Sequence, residues 1–371
     1  MRKITRTLLL LVTSITGWSQ TVTTIVEGSP DDAITMDSNG NIYVTGFDSG
    51  SVYQYTSAGV MTEFLNGLSN PNGIGFNSAD ELYLCQWDEN LIQRYNLSGT
   101  VLNAYNQTGN PSGMIKSFDS DDMIFTKYSG NSIHRLTPEG DVTTISSAQE
   151  LNGPVGLAYD DSGNLYVGNY NNRQIYKVLS NGDLEYVATV GNSSNLGFIA
   201  YANGLLWGTV LGEHKIYTID PTDVDAVNLY AGSALGSDDG DISQATFNRP
   251  NGIAFNQMGD VMYISEYGSK NIRVISGVNL SVNAVELEES FKVIQYQDSI
   301  SVTALLPYRT RVFKIEIVDA NGRVVKRHQG QPNENDGVID VVMDVSGVAN
   351  GSYFVKILSE SHQSVKQIIL R

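Results

Sequence analysis

One pattern recurs six times between residues 32 and 266, and it constrains the fold more than any other feature of the chain. Each copy has a small-residue entry, a short apolar run, a Gly/Asp/Asn/Ser turn and an apolar-aromatic run. The first three run from Asp32-Ala33-Ile34 to Asn41-Ile42-Tyr43-Val44, from Asn72-Gly73-Ile74 to Glu81-Leu82-Tyr83-Leu84, and from Ser112-Gly113-Met114 to Asp122-Met123-Ile124-Phe125. The others run from Val155-Gly156-Leu157 to Asn164-Leu165-Tyr166-Val167, from Leu196-Gly197-Phe198 to Gly204-Leu205-Leu206-Trp207, and from Asn251-Gly252-Ile253 to Val261-Met262-Tyr263-Ile264. Counted from Tyr43 through Tyr83, Ile124, Tyr166, Leu206 and Tyr263, the spacings are 40, 41, 42, 40 and 57. That is the period of a four-stranded propeller blade, a unit that buries its apolar faces only against its neighbours.

Within the second copy, strands are expected at Ile74 to Asn77, Leu82 to Trp87, Leu91 to Asn96 and Val101 to Tyr105, with turn residues between them. The sixth copy ends near Gly277 after three strands, whereas the β-branched run Val22 to Val26 precedes the first copy and belongs to none. The N-terminal strand is therefore expected to complete the sixth blade and close the ring, which removes the open sheet edges that invite aggregation. The fold class is all-β: a six-bladed β-propeller over residues 20–278, followed by a small β-sandwich over 279–371.

Charge divides the chain the same way. Residues 20–278 hold 10 basic and 29 acidic residues, net −19, whereas 279–371 hold 10 and 11. An acidic propeller of this kind is repelled by nucleic acid and anionic lipid. One Cys in 371 residues excludes a disulfide framework and a Cys-built metal site, and the four His residues never fall at an i, i+4 metal spacing. Cys85, in the run Leu82-Tyr83-Leu84, reads as a small buried hydrophobe. Residues 1–19 have the plan of a secretory signal peptide: Arg2, Lys3 and Arg6 precede the apolar run Leu8 to Val12, with Gly17 and Ser19 before a cut at Gln20. The apolar run is too short to serve as a transmembrane anchor.

The sixth copy, with Gly236-Ser237-Asp238-Asp239-Gly240, Ala245-Thr246-Phe247-Asn248-Arg249-Pro250, Asn251-Gly252-Ile253-Ala254 and Asn271-Ile272-Arg273-Val274-Ile275, resembles NHL-type repeats. The usual Asp after the second strand is replaced by Gly46, Gln86, Lys127, Asn169, Thr209 and Glu266. In the C-terminal segment, period-two alternation with Asn-Gly turns marks a β-sandwich. Val318-Asp319-Ala320-Asn321-Gly322, Val348-Ala349-Asn350-Gly351-Ser352-Tyr353-Phe354-Val355-Lys356-Ile357 and the terminal Lys366-Gln367-Ile368-Ile369-Leu370-Arg371 resemble the type IX secretion C-terminal sorting domain (type A) of Bacteroidota. That resemblance implies the type IX machinery as a partner and a secreted or outer-membrane-surface location.

Strand parity in a four-stranded blade places the entries to the inner strands and the ends of the second strands on one face, where ligands of propellers are expected. The entry residues Asp32, Asn72, Ser112 and Asn251 should meet there with Gln86, Lys127, Asn169, Thr209 and Glu266. Phe47, Trp87, Tyr128, Tyr170 and Tyr267 follow the strand ends, with Val210 in the fifth copy, and an aromatic collar with convergent polar groups suits a sugar or other polar organic ligand. The competing arrangement packs these aromatics between blades as core. The 57-residue spacing holds extra residues at about 233 to 247, expected on the ligand face, where Asp238, Asp239 and Asp241 offer oxygen ligands for Ca²⁺. Asp37-Ser38-Asn39-Gly40 and Asp160-Asp161-Ser162-Gly163 read as hairpin turns on the opposite face.

The preferred function is recognition of a glycan, small polar molecule or protein partner at the channel mouth, as a binding module more than an enzyme. The alternative is a metal-dependent hydrolase or lyase similar to gluconolactonases, which implies Asn72 and Asn251 as metal ligands and Asp32 as an acid. The usual Glu of a Glu-Gly-Pro entry is missing there, with Glu27-Gly28-Ser29-Pro30 offset from it. No Gly-x-Ser-x-Gly elbow is present.

Overall fold

The computed structural model describes residues 20–370 apart from 29–30, 57–58, 279–290, 297, 306–311, 320–322, 332–337 and 360–362. The signal-peptide reading of residues 1–19 lies outside them, as do Ser29 and Pro30 of the offset entry.

Each repeat folds as a four-stranded antiparallel sheet. The first blade contains Ile34–Met36, Ile42–Gly46, Ser51–Tyr55 and Met61–Leu65, and the next four start with Pro71–Phe76, Pro111–Lys116, Pro154–Tyr159 and Leu196–Ala202. In the sixth, Pro250–Phe255, Val261–Glu266 and Ile272–Ser276 are joined by the N-terminal strand Thr21–Val26, with Val22 opposite Ile275 and Thr24 opposite Arg273. Ring closure by the N-terminal strand is thus as expected. The turns between first and second strands are fixed by their own side chains. Asp37 Oδ1 accepts from the N–H groups of Asn39 and Asn41 at 3.0 and 2.8 Å, and Asp160 Oδ1 from those of Ser162 and Asn164, both at 2.9 Å. These are Asx turns, and their cation-like sequences are turn chemistry.

The inner strands start earlier than the apolar pattern suggests, at Pro71 and not Ile74 in the second blade. A bulge shifts the register there, between Pro71 and Ile74, and the same irregularity recurs in blades three to six. The glycine in the bulge is required by contact: a Cβ on Gly73 would lie 1.6 Å from Ser112 O, and one on Gly113 1.8 Å from Val155 O. Adjacent inner strands therefore approach backbone to backbone around the channel. The second strands bury their apolar residues on both faces, and the clusters they form join adjacent blades, as where Tyr83 and Cys85 meet Met123 and Phe125.

The C-terminal segment has its own core. A three-stranded sheet (Lys292–Gln295, Ser299–Leu305, Val338–Asp344) and a four-stranded sheet (Val324–Gly330, Phe313–Asp319, Gly351–Ser359, Gln363–Leu370) bury Ile300, Val302, Ile315, Ile317, Val355 and Ile357.

Candidate functional site

The channel mouth is assembled by register. In blades two to six the last residue of the second strand pairs with the first of the inner strand: Gln86 with Pro71, Lys127 with Pro111, Asn169 with Pro154, Val210 with Leu196 and Glu266 with Pro250. The residue before each proline, Asn70, Asn110, Gly153 and Arg249, is left-handed, with φ of 46, 57, 60 and 56°. Its carbonyl accepts the N–H of the next aromatic: Trp87 at 3.1 Å, and Tyr128, Tyr170 and Tyr267 each at 2.9 Å. The rim aromatics are thereby pinned at the mouth by their own backbones.

Their rings form a chain from blade to blade. Phe47 meets Trp87 at 6.2 Å between centroids, Trp87 meets Tyr128 at 6.1 Å and Tyr128 meets Tyr170 at 6.0 Å, all edge to face. All four are half-buried, so each ring is braced by a neighbour and still open to solvent. In the fifth blade Val210, expected at the rim, instead ends the second strand opposite Leu196, and buried Leu211 takes the rim position with its N–H donating to Asn195 O at 3.0 Å; the collar is broken there, and Tyr267 resumes it in the sixth. Two cations pack on Tyr267, the Arg249 guanidinium carbon 4.6 Å and the Lys270 Nζ 4.4 Å from its centroid.

Three strand-end side chains expected in the mouth turn elsewhere. Gln86 Oε1 accepts from Ser69 N–H at 3.0 Å, Asn169 Oδ1 from Asn152 N–H at 3.1 Å, and Glu266 Oε1 from Asn248 N–H at 2.8 Å. The reason is the proline two residues on: the bend before it leaves an N–H without a strand partner, and a buried donor must be satisfied. Thr209, expected at a strand end, lies one residue before it, donates to Asn251 O at 2.6 Å and is buried. Lys127 has no acceptor atom and cannot cap its loop; it is half-buried, its Nζ 5.8 Å from the Phe125 centroid, and desolvation lowers its pKa.

Deeper in the channel, the entry residues meet as expected. Asp32 accepts from Asn72 Nδ2 at 2.8 Å and from Asn251 Nδ2, and Asn72 Oδ1 accepts from Ser112 Oγ at 2.9 Å. This arc crosses four successive blades. Burial, and then the neighbouring Asp31 charge, push the Asp32 carboxyl well above the usual carboxylate range. The donor set does not fit a divalent cation. Both Asp32 oxygens meet amide nitrogens, the Asn72 oxygen is engaged by Ser112, and among the described residues no group of three or more His, Cys, Asp or Glu is placed to hold a metal.

The acidic insert also does other work. Gly240–Asp241 adds a strand outside Thr21–Val26, at the outer edge of the sixth blade, with Thr21 opposite Asp241. Asp239 accepts from Thr24 N and Thr24 Oγ1, both at 2.9 Å, and pairs at 2.9 Å with Arg273. Arg273 is fully buried, pairs at 3.1 Å with buried Glu266, and donates to the carbonyls of Thr246 and Asp238. Asp238 Oδ2 accepts from Thr246 Oγ1 and Asp241 Oδ1 from Ser243 Oγ. A buried guanidinium draws in carboxylates and carbonyls to compensate its desolvation, so Asp238, Asp239 and Asp241 belong to the ring closure and not to a Ca²⁺ site.

Two features escaped the sequence reading. A belt of hydroxyls serves the inner strands: Thr126 Oγ1 accepts from Gly113 N–H at 2.7 Å, Ser265 Oγ accepts from Gly252 N–H at 2.9 Å, and Thr45 Oγ1 donates to Ala33 O at 3.3 Å. Cys85 occupies the same slot in the second blade, where burial pushes its thiol far up. The signal was a Thr, Ser or Cys one residue before the strand end in every blade but the fourth, which has Gly168. The other feature is Lys270, which joins the sixth blade to the first through Asp31 and, at 2.9 Å, Asp48. Although burial opposes it, these carboxylates hold the Lys270 ammonium charged.

Six four-stranded blades, closed by the N-terminal strand and followed by a separately cored sandwich, define a β-propeller with a C-terminal β-domain. The model of the virginiamycin B lyase family matches residues 14–272, and the chain belongs to that family. Residues 294–371 match the secretion system C-terminal sorting domain, the type IX tail, which indicates secretion or cell-surface localisation. No helix among the described residues is long and apolar enough to cross a membrane. None of the curated protein sequences matches the chain. Among solved structures, virginiamycin B lyase from Staphylococcus aureus is 20% identical with a TM-score of 0.51, covering 66% of this chain and 79% of that one. An auxiliary nutrient binding protein from Bacteroides thetaiotaomicron is 16% identical with a TM-score of 0.60, covering 69% and 76%. A gluconolactonase from Xanthomonas campestris is 14% identical with a TM-score of 0.56, covering 69% and 89%. At these identities the likeness is one of fold.

Proposed function

We propose that the propeller is an exported recognition module that takes a saccharide, or a polar organic ligand of similar shape, on the aromatic collar at its channel mouth. The observation that carries this reading is the unbroken chain of half-buried rings Phe47, Trp87, Tyr128 and Tyr170. Braced aromatic faces offer large contact area without loss of side-chain freedom on binding, and Tyr128 and Tyr170 add hydroxyls for orientation. Lys127, half-buried beside Tyr128, supplies a further donor at the rim. Two Bacteroides neighbours named auxiliary nutrient binding proteins are in keeping with such a role. The sorting domain would bring the module to the cell surface, after export to the periplasm by the N-terminal segment.

Asp32 with its two asparagines is assigned a structural role. Its oxygens already face amide donors, so no lyase or hydrolase step is routed through it.

A glycan array followed by calorimetric titration of the full chain tests the reading. Trp87→Ala and Tyr170→Ala are expected to weaken binding about tenfold or more each, with melting temperatures close to the parent's because neither ring is fully buried. Unchanged affinity in both variants would show that the aromatics serve only as packing.

A further inference from the structure

We infer that the mouth contains an anion-reading subsite built on Arg249, and that the ligand of the collar is an acidic saccharide whose carboxylate or sulfate seats on that guanidinium. The inference rests on the collar reading above and adds the ligand's charge and polarity of binding.

Arg249 lies in the connection from the fifth blade to the sixth, against the turn in which buried Leu211 interrupts the collar. Its backbone is fixed on both sides: the N–H donates to His214 Nδ1 at 3.1 Å, and the carbonyl accepts from Tyr267 N–H at 2.9 Å. The guanidinium stacks over Tyr267 while the residue remains exposed. Stacking on a ring leaves the planar N–H fork free to meet a carboxylate or sulfate edge on.

Arg249 also differs from Lys270, Arg273 and Arg173. Lys270 is engaged by Asp31 and Asp48, Arg273 by Glu266 and Asp239, and Arg173 by the carbonyls of Val190 and Ser194. The Arg249 side chain has no hydrogen bond or ion pair with any described residue, on a propeller with 29 acidic residues against 10 basic. Stabilising Tyr267 does not explain it, because Lys270 already packs on the same ring.

The backbone adds an independent argument. Arg249 has a φ of 56°, where the equivalent blades use Asn70, Asn110 and Gly153. A left-handed conformation costs a non-glycine residue about 1–2 kcal/mol, relieved for Asn and absent for Gly. A long cation retained in that position, exposed and unpaired, points to a partner outside the chain. The exposed acids Asp88 and Glu89 of the second blade would repel an anion from their side of the rim, which fixes the direction in which an acidic sugar lies across the collar.

The test uses the full chain on an array of paired saccharides with matched rings: glucuronate against glucose, galacturonate against galactose, and sulfated against unsulfated galactosides. Binding of acidic members about tenfold or more above their neutral partners is expected, the size of one charge-assisted contact. Carboxylate and sulfate arms separate the two sources of charge. Arg249→Asn, which places in the sixth blade the residue the second and third blades carry, should abolish the preference while keeping or raising the melting temperature. Equal binding of neutral and acidic members, or a preference that survives Arg249→Asn, overturns the anion subsite and leaves the collar standing. Absence of binding by every member, with Trp87→Ala indistinguishable from the parent, overturns both.

Discussion

At the scale of single residues, His134 makes a pH-dependent contribution with a definite sign. The ring is buried, stacked on Phe125 at 5.3 Å, with Nε2 2.8 Å from Ser132 Oγ and Nδ1 3.3 Å from Thr144 Oγ1. Burial, and then the charge of Lys127, push the imidazole down to about 4 from an ordinary 6.5. The unfolded chain therefore takes up this proton before the folded one. Stability from neutral His134 is present above pH 6.5 and is lost as pH falls toward 4, by about 3 kcal/mol over the full window. Urea denaturation at pH 7.0 and 4.5 should show a smaller acid-side loss in His134→Gln than in the parent, the difference approaching that size. Parallel losses in the two proteins would mean that His134 does not titrate in this range. Sequence alone placed none of this, because the histidine's partners lie on its own strand and the next, at positions that read as ordinary alternation.

At the scale of elements, the closing blade depends on one buried cation. Arg273 ties the insert, the second strand of the sixth blade and, through Asp239, the N-terminal strand into one unit. Arg273→Ala leaves Glu266 fully buried without its guanidinium, and breaking such a pair is expected to cost about 3–5 kcal/mol. Asp239→Ala removes a half-exposed partner and should cost about 1 kcal/mol. Denaturant midpoints at unchanged m-value measure both; equal effects would contradict the clamp. This is also where sequence and structure part. The six copies, the missing strand and the hairpin turns were legible because strand periodicity and Asx turns are local. The role of the insert was not, since parity locates where a loop leaves the sheet and not where it goes. The purpose of Gln86, Asn169 and Glu266 was hidden for a related reason: their partners, Ser69, Asn152 and Asn248, become needy donors only because of a proline two residues later. The rim aromatics and the Asp32 arc were readable because strand-end and entry positions are fixed by register.

At the scale of the molecule, composition and packing divide the chain at the same place. Net charge is −19 over residues 20–278 and −1 over 279–371. Among the described residues, one core cluster holds only residues between Phe291 and Leu370, and the remaining clusters hold only residues between Val22 and Val278. Two cores without shared side chains have no means of cooperating through packing, and a ring closed by its own N-terminal strand needs no later segment to complete it. Calorimetry of the full chain is therefore expected to show two transitions. Removal of residues 279–371 should eliminate one and leave the other at an unchanged temperature. The same deletion should also separate folding from delivery. The shortened chain would keep its saccharide affinity in solution, and in a cell with type IX machinery it would no longer reach the surface. A single transition in the full chain that falls in temperature on truncation would show instead that the sorting domain stabilises the propeller, so that the two act as one body during export.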